Sequence, residues 1–304
     1  MASKVSSKIL FIFLDGVGVA ANSGKNPFST ASMPTLNSLL NGSICQEQYV
    51  NKEGLLYRGI DACLGVKGLP QSATGQTALL TGINASRELG FHLPAFPNQN
   101  LVELIKKHNI FSKALAVGAK AIFANSYSSV YFELIKQHKR RHSVTTHCVL
   151  ASGLCFRTIH DLHNGGAVHW DMTRQTLLSY VRDSIPVISY YQAGKDLAGI
   201  TADYNLVLYE SFVSDLIGHS KSLAQAEMFL SHLDEFLKGV LDNLSKEVTL
   251  VISSDHGNLE DMSTTQHTRN PVPLLVYGQK ALYFWTAESI TDVTPAIIEV
   301  LSSG

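Results

Sequence analysis

The chain has 304 residues, 45% of them hydrophobic and 16% charged, with a net charge of −1. That length allows one large α/β domain or such a core with a modest insertion, and the composition excludes a disordered chain. Near-neutrality gives no general pull toward nucleic acid or an anionic membrane, so neither is expected as a partner.

Ile9-Leu10-Phe11-Ile12-Phe13-Leu14 is too short for a helix and rich in β-branched and aromatic residues, which predicts a buried central strand. Lys4 and Lys8 invite a signal-peptide reading. The apolar run stops at Asp15, short of the roughly 7–15 residues of a secretory core and the about 20 of a membrane helix. Cys45, Cys63, Cys148 and Cys155 lack CxxC spacing and read as buried free thiols of a reducing compartment. A cytoplasmic protein is expected.

The strand ends in Asp15-Gly16-Val17-Gly18, a turn at the C-terminal edge where open α/β sheets place their sites. Gly65 to Gly75 is turn-rich and leads into a helix starting near Thr77. A helix is predicted from near Asn100, a short strand around Ala121–Ala124, and a helix through Tyr131–Lys139. The basic cluster from Lys136 to His142 reads as that helix's solvated terminus, with anion or substrate contact as the lesser reading. From His142 to Gly166 the pattern weakens, and loops and short elements are expected, forming a lid.

Asn205–Tyr209 predicts a strand. Leu223, Ala226, Leu230, Leu233, Leu237, Val240 and Leu244 recur at helical spacing and predict a helix from Leu223 to Leu244. It joins that strand to another at Val248–Ser253, a βαβ unit implying parallel pairing. Pro273–Tyr277 predicts a further strand, and Pro295 lies near the start of a terminal helix. The expected organisation is a single α/β domain over residues 1–304, with an insertion between 92 and 201.

Asp15, Ser72, Asp215, His219, Asp255, His256 and His267 lie in turns, most of them just after predicted strands, and a parallel sheet would gather such turns at one edge. They exceed what one tetrahedral ion needs and suit two divalent cations. Mixed Asp/His ligation fits Zn²⁺, Mn²⁺ or Fe²⁺ better than Mg²⁺ or Ca²⁺. Ser72, before a helix N-terminus, reads in isolation as a helix cap. Beside a metal cluster it reads as a nucleophile, because a cation would lower its hydroxyl pKa. Thr74 is the runner-up.

Asp15-Gly16-Val17-Gly18, Ser72-x-x-Gly75, Asp215-Leu-Ile-Gly-His219, Asp255-His256-Gly257-Asn258-x-Glu260 and His267-Thr-x-Asn270-Pro271-Val272-Pro273 occur in this order. With Asn26-Pro27, Pro34-Thr35-Leu36 and Asp292-Val293-Thr294-Pro295, they resemble the alkaline phosphatase superfamily. The likeness is to its cofactor-independent phosphoglycerate mutase and phosphopentomutase branch. The resemblance implies a three-layer αβα sandwich with a largely parallel central sheet and two cations, Mn²⁺ or Zn²⁺. Asp215, His219 and His267 would hold one cation; Asp15, Asp255, His256 and the Ser72 hydroxyl would hold the other. Ser72 would be transiently phosphorylated by a small phosphorylated substrate.

The chain departs from the mutases in two places. Gln76 stands where they carry a His, and the stretch from His92 to Thr201 is smaller than their arginine-bearing inserted domain. Its arginines, Arg140, Arg141, Arg157, Arg174 and Arg182, match none of the family's substrate contacts. The expected function is therefore metal-dependent phosphoryl transfer by a compact phosphomonoesterase or phosphomutase-like enzyme. Phosphodiester or phosphonate hydrolysis, or a metal-binding relative without catalysis, are the alternatives. A serine hydrolase is disfavoured because Ser72 lacks the Gly-x-Ser-x-Gly elbow. Arg269, beside His267, reads equally as a phosphate clamp and as a solvent-facing side chain. Asn258 and Glu260 read as supports of the ligands. Trp170 reads as a core anchor, with a substrate pocket shaped by His169-Trp170-Asp171 as the lesser reading. His142, His147, His160, His163 and His169 read as satisfied loop histidines, with substrate or extra-metal contact as the lesser reading.

Overall fold

The apolar run forms β1 (Lys8–Leu14), buried along both faces. Ile9, Phe11 and Phe13 enter one core and Leu10, Ile12 and Leu14 another, as a strand's two-residue period requires. Such double burial belongs to a central strand. The structure, a computed structural model, describes residues 6–46, 48–179 and 185–303.

The remaining strands are β2 (Val50–Lys52), β3 (Leu55–Ile60), β4 (Ala121–Phe123), β5 (Ser126–Tyr127), β6 (Arg157–Thr158), β7 (Leu206–Ser211), β8 (Val248–Ser253) and β9 (Val272–Tyr277). β5 and β6 form a small separate sheet, and the main sheet has the order β2-β3-β9-β8-β1-β7-β4. β8, β1, β7 and β4 run parallel, whereas β9 is antiparallel to both β8 and β3.

Helices Ser72–Thr81, Gln99–His108, Ile110–Ala116, Val144–Ser152 and Val293–Ser302 cover one face. Helices Pro34–Leu40, Tyr190–Ile200 and Leu223–Asn243 cover the other. The result is the expected αβα sandwich. Tyr190–Ile200 lies close on Leu223–Asn243 because glycines face it across the contact. A Cβ at Gly194 would run into the Phe236 carbonyl oxygen, and one at Gly239 into that of Tyr191.

Several expectations change. β7 and β8 are parallel but do not pair with each other, because β1 lies between them. Much of residues 92–201 belongs to the sandwich: β4 is a sheet edge, and the Gln99–His108, Ile110–Ala116 and Tyr190–Ile200 helices are layers. The supposed loop after His142 contains the Val144–Ser152 helix, started by a Ser143/Thr146 capping box. Val144, Cys148 and Val149 are buried there. Its threonines and valines are weak helix formers, so core packing overrides local propensity.

Of the cysteines, Cys45 and Cys148 are buried, Cys63 is half-buried and Cys155 is exposed. Cys155 lies beyond the end of the Val144–Ser152 helix and so escapes the core. Lys4 and Arg182 fall outside the described residues. Among the described residues no helix is long and apolar enough to cross a membrane.

Candidate metal centre

Because β1, β7 and β8 are parallel, the turns that follow them meet at one sheet edge. Asp15 follows β1, Asp255 and His256 follow β8, and Asp215 and His219 lie on or just after the short Val213–Gly218 helix beyond β7. His267 precedes β9 instead of following a strand. The antiparallel direction of β9 brings its start to the same edge. Ser72 is the first residue of its helix, several residues ahead of the expected start, and Gln71 occupies the cap position. Ser72 is therefore not the cap, and its Oγ lies 3.1 Å from His256 Nε2.

These residues form a compact cluster. His256 Nε2 is 3.3 Å from Asp15 Oδ1 and 3.5 Å from Asp255 Oδ2. Asp215 Oδ2 is 3.3 Å from His219 Nε2, and its Oδ1 is 3.5 Å from His267 Nε2. Two sets, Asp15/Asp255/His256 and Asp215/His256/His267, each bring their ligand atoms within 4.8 Å of one another. His219 stands at the outer side, its side chain 44% exposed. Asp15 Oδ1 and Asp255 Oδ2 are buried without a hydrogen-bond partner. Apart from the His256 imidazole these oxygens have no polar neighbour to satisfy them, and a divalent cation is a group that could do so.

Burial raises the Asp15 carboxyl, against the pull of His256. It also raises Asp255 well above the usual range, with the Asp15 charge adding to the effect. For His256 burial acts downward, but Asp255 and Asp15 outweigh it and push the imidazole up to about 10. Burial, followed by the charge on His256, pulls His267 down to about 4. The two rings stack at 3.7 Å and 15°. Cation binding to these groups would displace the protons that their raised pKa values retain.

Surrounding groups orient these side chains. His219 Nδ1 faces the Thr265 carbonyl at 2.8 Å and His267 Nδ1 the Pro70 carbonyl at 2.9 Å, leaving each Nε2 for the cluster. Gln76 donates to Asp15 Oδ2 at 3.1 Å, and Asn258 to Asp215 Oδ1 at 2.7 Å. Gly16 has φ +69°, and a Cβ there would lie 2.6 Å from Asp215 Oδ1. Glu260 accepts the Gly18 and Asn258 backbone amides, the Thr268 hydroxyl and the Asn270 side-chain amide. It thereby ties together three of the sequence motifs.

Asp15, Ser72 and Gln76 open into a chamber of about 680 Å³. Its wall includes Trp170, stacked on Phe212 at 4.2 Å and 15°, so Trp170 faces the chamber and is not a core anchor. Arg140 and Arg141 also line it, and both are exposed. Arg269 does not line the chamber; it is exposed and donates to the Gly68 carbonyl at 2.7 Å. Thr74 is fully buried, its hydroxyl bonded to the Gln71 carbonyl and the Leu93 amide.

The insertion histidines are largely engaged locally. His142 meets the Tyr131 hydroxyl at 3.0 Å, His160 meets Asn164 at 3.1 Å, and His169 meets Ser126 at 3.3 Å and Thr176 at 3.1 Å. Of these, His169 lines the chamber. Gln76 was visible in sequence only as a departure from the mutases. Glu210 and Phe212, also in the chamber wall, carry no motif.

An αβα sandwich with a buried Asp/His cluster at its sheet edge has the fold and the donor groups of a metalloenzyme. The chain belongs to the Metalloenzyme superfamily, whose family model matches residues 7–303. It is 34% identical over 106 residues to the 2,3-bisphosphoglycerate-independent phosphoglycerate mutase of Desulforudis audaxviator, a match covering 32% of this chain and 21% of the mutase. The aligned part is thus about a fifth of that relative's length. The PH0037 protein from Pyrococcus horikoshii has a similar fold, with a TM-score of 0.58, 13% identity and 98% of each chain covered. So does a cold-active alkaline phosphatase from a Shewanella species, with a TM-score of 0.54, 12% identity, and 96% of this chain and 100% of that one covered.

Proposed function

We propose that this chain is a two-metal phosphoryl-transfer enzyme acting on a small phosphomonoester through Ser72. The observation that carries this reading is the convergence of the buried Asp15 and Asp255 oxygens, which accept no hydrogen bond, and the Ser72 hydroxyl on His256 Nε2. Asp215, His219 and His267 would hold one cation, and Asp15, Asp255, His256 and Ser72 Oγ the other. Mn²⁺ and Zn²⁺ suit this donor set. When bound, the cations supply positive charge to the phosphate oxygens and favour the ionised serine.

The chain's own groups do the rest. Ser72 begins a helix, so backbone N–H groups and the helix dipole favour a phosphate there. Gln76 holds Asp15 in place. A bond forms from Ser72 Oγ to phosphorus as the ester P–O bond breaks; the serine loses its proton and the departing alcohol gains one. A second acceptor oxygen then attacks the phosphoserine and frees Ser72. Water as acceptor makes a phosphatase, and a substrate hydroxyl makes a mutase. Support for the mutase outcome comes from the name of the aligned relative. We place the enzyme in the cytoplasm, a location supported by its free cysteines.

The test is purified protein loaded with Mn²⁺ or Zn²⁺ and assayed on aryl phosphates, bis-aryl phosphates and sugar phosphates. Ser72→Ala should bind metal yet lose turnover, while Thr74→Val stays active. An acid-quenched reaction should yield a phosphopeptide containing Ser72. Absence of turnover on every substrate with metal bound, or activity surviving in Ser72→Ala, overturns the assignment. A faster rate on the bis-aryl ester would make the enzyme a diesterase.

A further inference from the structure

On β7 the face that carries Leu206 and Leu208 into the core continues to Glu210, which stands opposite Phe13 of β1. The two-residue period predicts an apolar side chain at that position. Glu210 is instead a carboxyl with 5% exposure, in the wall of the chamber that contains Asp15 and Ser72. Its backbone is clamped by Asn125, which donates to its carbonyl at 2.7 Å and accepts its amide at 2.9 Å. Its Oε2 accepts the Thr145 hydroxyl at 2.7 Å, while Oε1 accepts no hydrogen bond among the described residues. A buried carboxyl that replaces a core side chain is costly unless its polar atoms are used.

We propose that Glu210 is a specificity-determining residue of the chamber, hydrogen-bonding through Oε1 to a hydroxyl on the organic part of a phosphomonoester. The role presupposes phosphoryl transfer at Ser72, and it makes hydroxylated phosphate esters better substrates than unsubstituted ones. Two further observations bear on the ligand. Tyr131 and Trp170 offer ring faces for the carbon skeleton. Burial, opposed by the Thr145 hydrogen bond and reinforced by the Asp15 charge, pushes the Glu210 carboxyl up to about 8. A protonated acid donates a hydrogen bond without repelling an anionic substrate.

The experiment compares kcat/KM on glycerol phosphate, propyl phosphate and phenyl phosphate with one metal throughout. Wild-type enzyme should prefer glycerol phosphate to propyl phosphate by about tenfold or more, as expected where a buried polar group reads a hydroxyl. In Glu210→Leu the glycerol-to-phenyl ratio should fall about ten- to hundredfold, mostly through KM, and Glu210→Gln, which keeps a donor of the same shape, should restore most of it.

Equal wild-type rates on glycerol and propyl phosphate overturn the role of Glu210 and need no folded variant. An unchanged ratio in folded, active Glu210→Leu does the same. Inactivity on every phosphomonoester with metal bound overturns the Ser72 assignment along with it, whereas turnover of phenyl phosphate with no hydroxyl preference leaves Ser72 standing.

Discussion

Replacing Glu260 by glutamine tests how the site is assembled while leaving every proposed cation ligand in place. The carboxylate is 1% exposed. Its Oε2 accepts Gly18 and Asn258 amides at 2.9 and 2.8 Å, and its Oε1 accepts the Thr268 hydroxyl and the Asn270 amide, the latter at 3.0 Å. Glutamine offers a single oxygen, so whichever way its amide turns, one pair of donors meets an NH₂ group. If the oxygen stays on the backbone amides, the Thr268 hydroxyl can rotate to accept, but Asn270 loses its acceptor. Weakening two charge-assisted bonds and leaving a donor dry should cost about 2–4 kcal/mol. Gly18 lies close after Asp15 and Thr268 directly after His267, so both sides of the cluster loosen. Metal affinity should fall about ten- to hundredfold, as for other groups that orient ligands. Urea unfolding with and without Mn²⁺, together with competition against a chelator, measures both effects. A cost below about 1 kcal/mol with unchanged affinity would refute the view of Glu260 as the tie between the motifs.

Gln76→Ala should weaken metal binding about tenfold, because Asp15 loses its positioning donor, and the same chelator competition reads the change. Gly194→Ala should destabilise the protein by about 2–3 kcal/mol in urea unfolding, since the new Cβ meets backbone that cannot turn aside; a loss below about 1 kcal/mol would contradict the close helix contact. Stability should also depend on Glu210. A raised folded-state carboxyl favours the folded protein most below the ordinary carboxylate range, and that benefit drains away as pH rises through about 8. Unfolding free energies of wild type and Glu210→Gln should therefore diverge as pH climbs from 5 toward 8, with wild type losing on the order of 1 kcal/mol per pH unit, and then run parallel. Parallel curves throughout would show that the carboxyl is not raised.

Much of this was legible in the chain. Asp15, Asp215, Asp255 and His256 follow strongly apolar strands, and parallel strands deliver such turns to one edge. His267 was recognisable as a motif residue, but its route to that edge depends on β9 being antiparallel, which local pattern does not encode. The start of the helix at Ser72 was hidden because Ala73 through Thr81 are buried on every side and show no amphipathic stripe. The Tyr190–Ile200 helix was masked by Gly194, whose value lies in a contact with a distant helix. The β2–β3 hairpin offered only short strands around Gly54. Glu210 was a single polar letter after an apolar run, and only strand register turns it toward the chamber.

The position of β1 has a consequence for synthesis. Ile9 stands in register with Leu206 on one side and Thr249 on the other, so both neighbours are translated long after it. Until they emerge, an apolar strand waits with two open edges, a template for pairing with other nascent chains. Closing such distant contacts is slow. Soluble yield should thus depend on chaperones that shelter residues 9–14, and ribosomes stalled before β8 should release aggregating product.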